Sequence, residues 1–356
     1  MKKLLILTTA LTAVGFAAHA DVTVMSWGGA YETSQVEGYN KPFTAATGTN
    51  VIMTAADNPA APIKAMVEAG NVTVDVADVE YADAVRLCDE GLLETMDHSI
   101  LPAAPDGTAA ADDFLPGALT DCGVANIVFS TIFAYDSSKI AEGPTKISDF
   151  FDLGKFPGKR GLRKGAKANL EMALMADGVP AAEVYAMLET PEGVDRAFAK
   201  LDTIKADTVW WETGAQPPQL LADGEVAMTT AYNGRIFAAA TAEAKPFVTV
   251  WDGQVFEYDM FVIPKGAPNM EAALEYVKYS TSTPALAEQA KWISYGPARK
   301  SSAPLIGLSS DGKTEMGPFM PTAEANLVNA LPSSYEFWAD RDAELNERFN
   351  AWLAAN

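Results

Sequence analysis

Histidine and basic side chains are scarce in this chain. Its 356 residues include two histidines, His19 and His98, and 26 lysines and arginines stand against 47 aspartates and glutamates. The formal net charge of −21 repels phosphate backbones and excludes nucleic acid as a partner. A mature protein that begins after His19 would keep only His98, which cannot form a multi-histidine metal site and leaves little room for a histidine-based catalytic triad. We therefore expect neither a metal nor any other cofactor.

The common nucleotide-binding and hydrolase motifs are missing as well. The chain has no Walker loop and no G-x-S-x-G elbow, and Gly28-Gly29 lacks the third glycine of the dinucleotide fingerprint. Hydrophobic residues make up 49% of the chain and charged residues 21%, so a packed core is expected instead of wholesale disorder. The length corresponds to roughly two domains.

The first residues have the features of a secretory signal peptide. Two lysines precede an uncharged apolar stretch over 4–18, and small residues two positions apart end the segment at Ala20. The apolar stretch is shorter than the ~20 residues of a membrane span, which argues against an anchor. We predict a signal peptide over 1–20 that is cleaved after Ala20, and a soluble, monomeric product in the bacterial periplasm.

Two cysteines remain in the mature chain, Cys88 and Cys122. An even number of cysteines in an oxidising compartment favours a disulfide between them. The alternative is a pair of buried free thiols.

The pattern of strands and helices predicts an α/β protein. Strands over 22–27, 50–55 and 74–79 alternate with helices, and such an order is typical of a mostly parallel sheet with helices on both faces. Two α/β lobes follow from the resumption of this alternation after residue 136. The other predicted strands are 123–135, 208–211, 226–231, 248–251 and 256–263, and the predicted helices are 31–47, 60–69, 81–90, 149–153 capped by Ser148, 169–177, 191–206, 217–222, 270–280 capped by Asn269, and 335–353.

Aromatic and acidic side chains stand together at the ends of several predicted strands. In open α/β sheets the carboxyl ends of strands border the crevice where ligands bind. Aromatic faces attract cations, and carboxylates pair with ammonium groups, so the set predicts a cleft that suits an amine. Taken singly, each such aromatic residue is more often part of the core than of a ligand cage. The set comprises Trp27, Glu80, Tyr81, Trp210, Trp211, Glu212, Tyr232, Asn233, Glu257, Tyr258, Asp259 and Tyr295.

Two charged features have open interpretations. Strand alternation puts Glu257, Asp259 and Phe261 on one face, and an acid among apolar residues is costly unless it is paired. Asp259 therefore has either a partner inside its lobe or a free carboxylate that faces the cleft. The basic stretch over 159–167 is either a solvated loop or a contact for an anion.

Several short segments, taken in order, resemble the periplasmic solute-binding proteins of ABC importers, in the spermidine/putrescine-binding group. The segments that carry the resemblance are Ser26-Trp27-Gly-Gly-Ala-Tyr31, Pro42-Phe43, Thr47-Gly48, Tyr81 to Gly91, Ile147-Ser-Asp-Phe, Phe156-Pro-Gly-Lys159, Leu221-Ala-Asp-Gly-Glu-Val226, Ala231-Tyr-Asn-Gly-Arg235, Tyr258-Asp259, Ile263-Pro-Lys-Gly266 and Tyr295-Gly-Pro297.

The resemblance implies a type II periplasmic-binding-protein fold, in which two lobes are joined by crossover strands and enclose the ligand. Each lobe is then a mostly parallel sheet flanked by helices. We expect lobe 1 to take 21–130 and 254–300, and lobe 2 to take 131–253 and 301–356.

By position, the resemblance also implies roles in ligand binding. Aromatic walls are expected from Trp27, Tyr232 and Tyr295, an amine-pairing carboxylate from Asp259, and further contacts from Glu80, Tyr81, Trp211 and Arg235. Gly29 stands where the family can offer an acid, and 163–168 is basic or small where polyamine binders present acids. A short diamine, a quaternary amine, or a zwitterion with its carboxylate near Arg163 or Arg235 therefore fits as well as a long polyamine.

The expected function is the substrate-binding component of an ABC importer, which captures a small organic cation such as putrescine or spermidine and delivers it to the permease. Two other classes are open. A thiaminase-like enzyme of this fold would use Cys122 as its nucleophile, and a disulfide would disqualify it because the thiolate is the reactive form. A docking protein for a membrane sensor would use the same cleft.

Overall fold

Strands and helices alternate along the chain, which confirms the predicted α/β class. The computed structural model describes residues 21–355, so the predicted signal peptide lies outside the described residues. The strands are β1 (Val22–Ser26), β2 (Val51–Ala55), β3 (Val76–Glu80), β4 (Leu119–Thr120), β5 (Gly123–Asp136), β6 (Arg160–Arg163), β7 (Thr208–Trp211), β8 (Met228–Tyr232), β9 (Phe247–Val262), β10 (Gly296–Pro297) and β11 (Leu331–Pro332). The helices are α1 (Gly29–Gln35), α2 (Lys41–Thr47), α3 (Ala60–Glu68), α4 (Tyr81–Asp89), α5 (Ala110–Asp113), α6 (Ile147–Phe150), α7 (Asn169–Ala176), α8 (Val184–Leu188), α9 (Pro191–Asp202), α10 (Gln216–Asp223), α11 (Asn233–Ala242), α12 (Met270–Ser280), α13 (Thr283–Gln289) and α14 (Tyr335–Ala354). Within residues 21–355, no helix is both long and apolar enough to span a membrane.

One hydrogen-bonded path runs through eight of these strands, in the order β2-β1-β3-β9-β5-β8-β6-β7. The strands at each end of the path pair in parallel, as β1 does with β2 and β3, and β6 with β7 and β8. The two long strands in the middle, β9 and β5, pair antiparallel with each other and with their outer neighbours. The long strands therefore connect two parallel half-sheets, and the carboxyl ends of β1, β3 and β8 meet near them.

The prediction of separate strands over 248–251 and 256–263 is wrong, because β9 is continuous. Its register against β5 shifts, so that Thr131 pairs with Val255 but Phe133 pairs with Val250. Gly253, with a φ of 77°, lies in the bulged segment between these pairs. The sequence around this glycine therefore marks a bulge that lets one strand continue from one half-sheet to the other.

Two predicted helix caps are also wrong. The helix predicted over 149–153 begins earlier, at Ile147, and Ser148 lies inside it; the carboxylate of Asp149 instead accepts hydrogen bonds from backbone amides that precede the helix. Asn269 does precede α12, but its side chain does not cap the helix, and its backbone N–H donates to Asp75 over 2.7 Å.

Hydrophobic side chains form two large clusters. One cluster collects β1, β3, α4 and α12 together with the end of β9, and the other collects α7, α9 and α14 with parts of β5, β8 and β9. Helix α14 also packs against α4 of the first cluster, and Tyr335 stacks on Tyr81 with ring centroids 4.1 Å apart. The lobe boundaries given above stay a prediction.

The predicted disulfide between Cys88 and Cys122 is confirmed, with Cα atoms 5.9 Å apart. It joins the last turn of α4 to the residue that precedes β5. The alternative of two free thiols is therefore wrong.

Candidate functional site

A cavity that is partly open to solvent, with about 440 Å³ of empty space including the open part, lies where β1, β3 and β8 end beside β9. Six of the eight predicted ligand-binding residues line it; Tyr81 and Trp211 do not. Five aromatic side chains border the space, namely Trp27, Tyr31, Phe129, Tyr232 and Tyr295. The charged side chains at its border are Asp57, Glu80, Glu212, Arg235 and Asp259.

Two glycines after β1 shape one wall of the cavity. Gly28 and Gly29 have φ values of 63° and 60°, in the left-handed region that favours glycine, and they lead the chain directly into α1. A Cβ atom on Gly29 would lie 2.7 Å from Nη1 of Arg235. Glycine at position 29, where the resembling family can have an acid, therefore leaves room for the Arg235 side chain to reach the cavity.

The Arg235 guanidinium is fixed by backbone carbonyls. Its Nη1 donates to the carbonyl oxygen of Gly28 over 2.8 Å and its Nη2 donates to that of Trp27 over 3.3 Å. Its Nε is buried and has no hydrogen-bond partner among residues 21–355, and the same holds for the indole Nε1 of Trp27. Both groups are donors, so this wall offers hydrogen bonds to an anion.

The Asp259 carboxyl lies on β9 directly opposite Glu80 of β3. Its side chain is 5% exposed, and its Oδ1 is buried without a partner in the described part of the chain. Burial, and then the negative charges of Asp78, Glu80 and Glu257, hold the pKa of Asp259 well above its usual 3.8. No protein cation forms an ion pair with Asp259 among residues 21–355. Its role as a ligand contact stays a prediction.

The aromatic wall is held together by edge-to-face contacts and by a buried carboxyl beneath it. Tyr295 lies 5.4 Å from Tyr31 and 6.3 Å from Phe129, measured between ring centroids. Tyr31 donates a hydrogen bond of 2.7 Å to Asp78, which also accepts one from Asn126. Burial raises the pKa of Asp78 to about 7, although these hydrogen bonds oppose the rise. The network fixes the Tyr31 ring, whose place in the cavity is not indicated by any strand-end pattern in the sequence.

Glu80, which lines the cavity, belongs to a group of four charged side chains, and the other three border a smaller neighbouring space. Lys167 lies 2.9 Å from Oε2 of Glu80 and 2.6 Å from Oε2 of Glu257, and Arg163 lies 3.1 Å from Oε1 of Glu80. Burial raises the pKa of Glu80, but Lys167 and Arg163 outweigh it and lower that pKa to about 2. Both carboxylate oxygens of Glu80 are thus occupied by protein cations.

The basic stretch over 159–167 is therefore not a solvated loop. Arg160 is fully buried and donates hydrogen bonds to backbone carbonyls, among them those of Phe150 and Phe156. The anions that Arg163 and Lys167 contact are carboxylates of the protein.

Some predicted site residues lie elsewhere. Tyr81 begins α4, so its ring turns towards Tyr335 and away from the cavity. Trp211 borders a smaller neighbouring space and meets the Tyr232 ring edge-on at 5.7 Å. Trp210 packs on Phe349 in the second hydrophobic cluster. Both Tyr81 and Trp210 pack on side chains of α14, and this packing keeps them out of the cleft. Strand-end patterns in the sequence do not reveal such contacts.

Comparison with known proteins gives consistent matches over almost the whole chain. A profile of the family described as bacterial extracellular solute-binding protein matches residues 38–318. A gamma-aminobutyric acid-binding protein from Pseudomonas aeruginosa is 44% identical over 345 residues, which cover 97% of this chain and 94% of that protein.

Solved structures give the same result. The periplasmic binding protein MotA from A. tumefaciens B6, in complex with glucopine, is 30% identical with a TM-score of 0.85, over 94% of this chain and 99% of that one. A solved GABA receptor is 33% identical with a TM-score of 0.79, over 94% of this chain and 98% of that one. The spermidine/putrescine-binding protein PotD from Streptococcus pneumoniae, at 16% identity and a TM-score of 0.69, shares the fold.

Proposed function

We propose, from the premise that this chain belongs to the bacterial extracellular solute-binding protein family, that it is the periplasmic binding component of an ABC importer for a short ω-amino acid. The proposed ligand class is that of γ-aminobutyrate: an ammonium group and a carboxylate separated by a few methylenes. The protein would capture this zwitterion in the cavity beside β9 and deliver it to the permease.

The observation that carries the proposal is a pair of opposite, unsatisfied charged groups in one cavity. Asp259 has a buried Oδ1 without a partner, and Arg235 has a buried Nε without one. Burying a charged group without a hydrogen bond is costly, and a ligand ammonium at Asp259 with a ligand carboxylate at Arg235 removes both costs. The aromatic walls suit the methylenes between the two charges.

This proposal departs from the polyamine expectation. A polyamine has no carboxylate for Arg235, and a quaternary amine has no N–H to donate to Asp259. The structural match to PotD, at 16% identity, supports the fold alone, whereas two relatives at 33% and 44% identity are named for GABA. A thiaminase-like reaction loses its candidate nucleophile because Cys122 is disulfide-bonded.

Ligand binding would favour closure of the two lobes. Trp27 follows β1 at one end of the sheet path, whereas Tyr232 and Arg235 belong to β8 and α11 on the other side of β5 and β9. A ligand that contacts both sets gains interactions only when they come together, and so it shifts the population towards the closed form.

The test is calorimetric titration of the mature protein with γ-aminobutyrate, putrescine, glycine betaine and L-alanine. We expect saturable one-to-one binding of γ-aminobutyrate, and at a concentration of 100 times its Kd a stabilisation of roughly 2.7 kcal/mol in thermal unfolding. X-ray scattering should show a smaller radius of gyration with this ligand than without it. Binding of putrescine but not of γ-aminobutyrate would refute the proposal.

A further inference from the structure

A second, smaller space adjoins the ligand cavity. Glu80, Phe129 and Tyr232 border both spaces, and Glu257 and Lys167 border the second one. The two spaces therefore share one acid and two aromatic rings, and Arg163, which pairs with the shared Glu80, also borders the second space.

The acids of the two spaces are arranged in a regular way on neighbouring strands. Glu80 of β3 pairs in register with Asp259 of β9, and Glu257 lies two residues before Asp259 on the same face of β9. Two residues along a strand separate side chains by about 7 Å, a distance that a four-carbon diamine spans. In such a diamine, one ammonium group could pair with Asp259 and the other with Glu80 and Glu257.

The protein fills the second of these positions itself. The Lys167 Nζ lies between Glu80 and Glu257 at 2.9 and 2.6 Å, and the lysine side chain is 12% exposed. The next residue, Ala168, has a φ of 65°, in a region that residues other than glycine rarely adopt. This strained residue directly follows the lysine whose Nζ contacts the two acids.

We propose that Lys167 is a tethered ammonium group that occupies a second amine subsite and thereby restricts the cavity to ligands with a single ammonium. This inference rests on the proposed function, because it explains why a cleft rich in acids takes a zwitterion and rejects diamines. A tethered cation loses no translational freedom when it binds, so a free diamine cannot displace it at ordinary concentrations.

The experiment compares putrescine and γ-aminobutyrate binding to wild type and to Lys167→Met. Methionine keeps most of the side-chain length and removes the charge, so the Glu80–Glu257 position becomes open to a ligand ammonium. We expect the variant to bind putrescine about ten- to a hundredfold more tightly than wild type, the factor that one charge-assisted hydrogen bond contributes. The ratio of the putrescine Kd to the γ-aminobutyrate Kd should fall by at least the same factor.

Three further variants make the result specific. Lys159→Met removes a lysine of the same basic stretch that is exposed and without an ion-pair partner among residues 21–355, and it should leave putrescine affinity as in wild type. Lys167→Arg keeps a cation and should still reject putrescine. Lys167→Met combined with Glu257→Gln removes an acid of the vacated position and should lose the gain in putrescine affinity.

The outcomes separate this inference from the proposed function. A Lys167→Met protein that unfolds cooperatively but binds putrescine no better than wild type overturns the inference, and so does a wild type that already binds putrescine as tightly as the variant. If Lys167→Met does not fold, Lys167→Gln takes its place in these comparisons, because glutamine keeps hydrogen-bond donors for the two acids. The proposed function fails separately, when wild type does not bind γ-aminobutyrate.

Discussion

Replacing Asp259 by asparagine should weaken ligand binding and strengthen the ligand-free fold at the same time. The asparagine side chain is nearly the same size, but its amide carries no charge to pair with a ligand ammonium. A hydrogen bond to a charged group contributes about 1.5–3 kcal/mol, so Asp259→Asn should raise the Kd for γ-aminobutyrate roughly ten- to a hundredfold. Calorimetric titration measures this change.

The ligand-free protein should respond in the opposite direction. Burial and the neighbouring carboxylates hold the pKa of Asp259 well above 3.8 in the folded protein, whereas the unfolded chain has the ordinary value. Ionisation therefore favours the unfolded chain as the pH rises. Asp259→Asn removes this effect, so its melting temperature without ligand should exceed that of wild type at neutral pH, and the difference should vanish as the pH falls below 3.8.

Asp89→Asn is the matched control, because Asp89 is exposed at the end of α4 and forms no ion pair within the described residues. It should change neither the Kd nor the melting temperature. An Asp259→Asn protein that binds γ-aminobutyrate as tightly as wild type, or that melts at a lower temperature without ligand at neutral pH, would refute the reasoning.

Three other predictions test the remaining parts of the site and the fold. Lysine has a single ammonium nitrogen in place of the planar guanidinium, so Arg235→Lys cannot reach both backbone carbonyls and also place an N–H at the position of the Arg235 Nε. Calorimetry should therefore show a γ-aminobutyrate Kd roughly ten- to a hundredfold higher, whereas Arg196→Lys on the surface should match wild type. Burial raises the pKa of Glu171 from 4.5 to about 7, so this group should lower the unfolding free energy by up to about 3 kcal/mol as the pH rises from 4.5 to 7. In urea titrations, the unfolding free energy of Glu171→Gln should lack that part of the pH dependence. If it still falls as steeply between about pH 4.5 and 7 as that of wild type, the raised pKa of Glu171 is not its cause. Reduction of the Cys88–Cys122 disulfide, which closes a separation of 34 residues, should lower the unfolding free energy by roughly 3–4 kcal/mol, and denatured, unreduced protein should show no titratable thiol.

Local patterns in the sequence predicted most strands and helices, and they failed where distant parts of the chain determine the structure. The bulge at Gly253 has the local composition of a turn, and only pairing with β5 turns the segment into one strand. In the same way, Ser148 is a good cap by residue type, but the Asp149 carboxylate binds the amides before the helix and moves its start.

The residues of the candidate site could likewise be predicted where the signal is local, and not where it depends on distant residues. Trp27, Tyr232 and Asp259 could be found because each stands at or near a strand end, a local signal. The contact of Lys167 with Glu80 joins residues 87 positions apart, and no spacing in the sequence indicates it. The basic stretch that contains Lys167 was therefore compatible with a solvated loop as well as with an anion contact.

The position of β9 in the sheet has a consequence for how the protein acquires its structure. This strand lies between β3 and β5, yet its residues, 247–262, come late in the chain. Neither half-sheet can complete its pairing until the polypeptide has been made as far as Val262, and contacts between such distant segments form slowly. Until residues 247–262 have been made, β3 and β5 each lack their shared neighbour, so we expect the nascent chain to remain without a completed sheet for most of its synthesis.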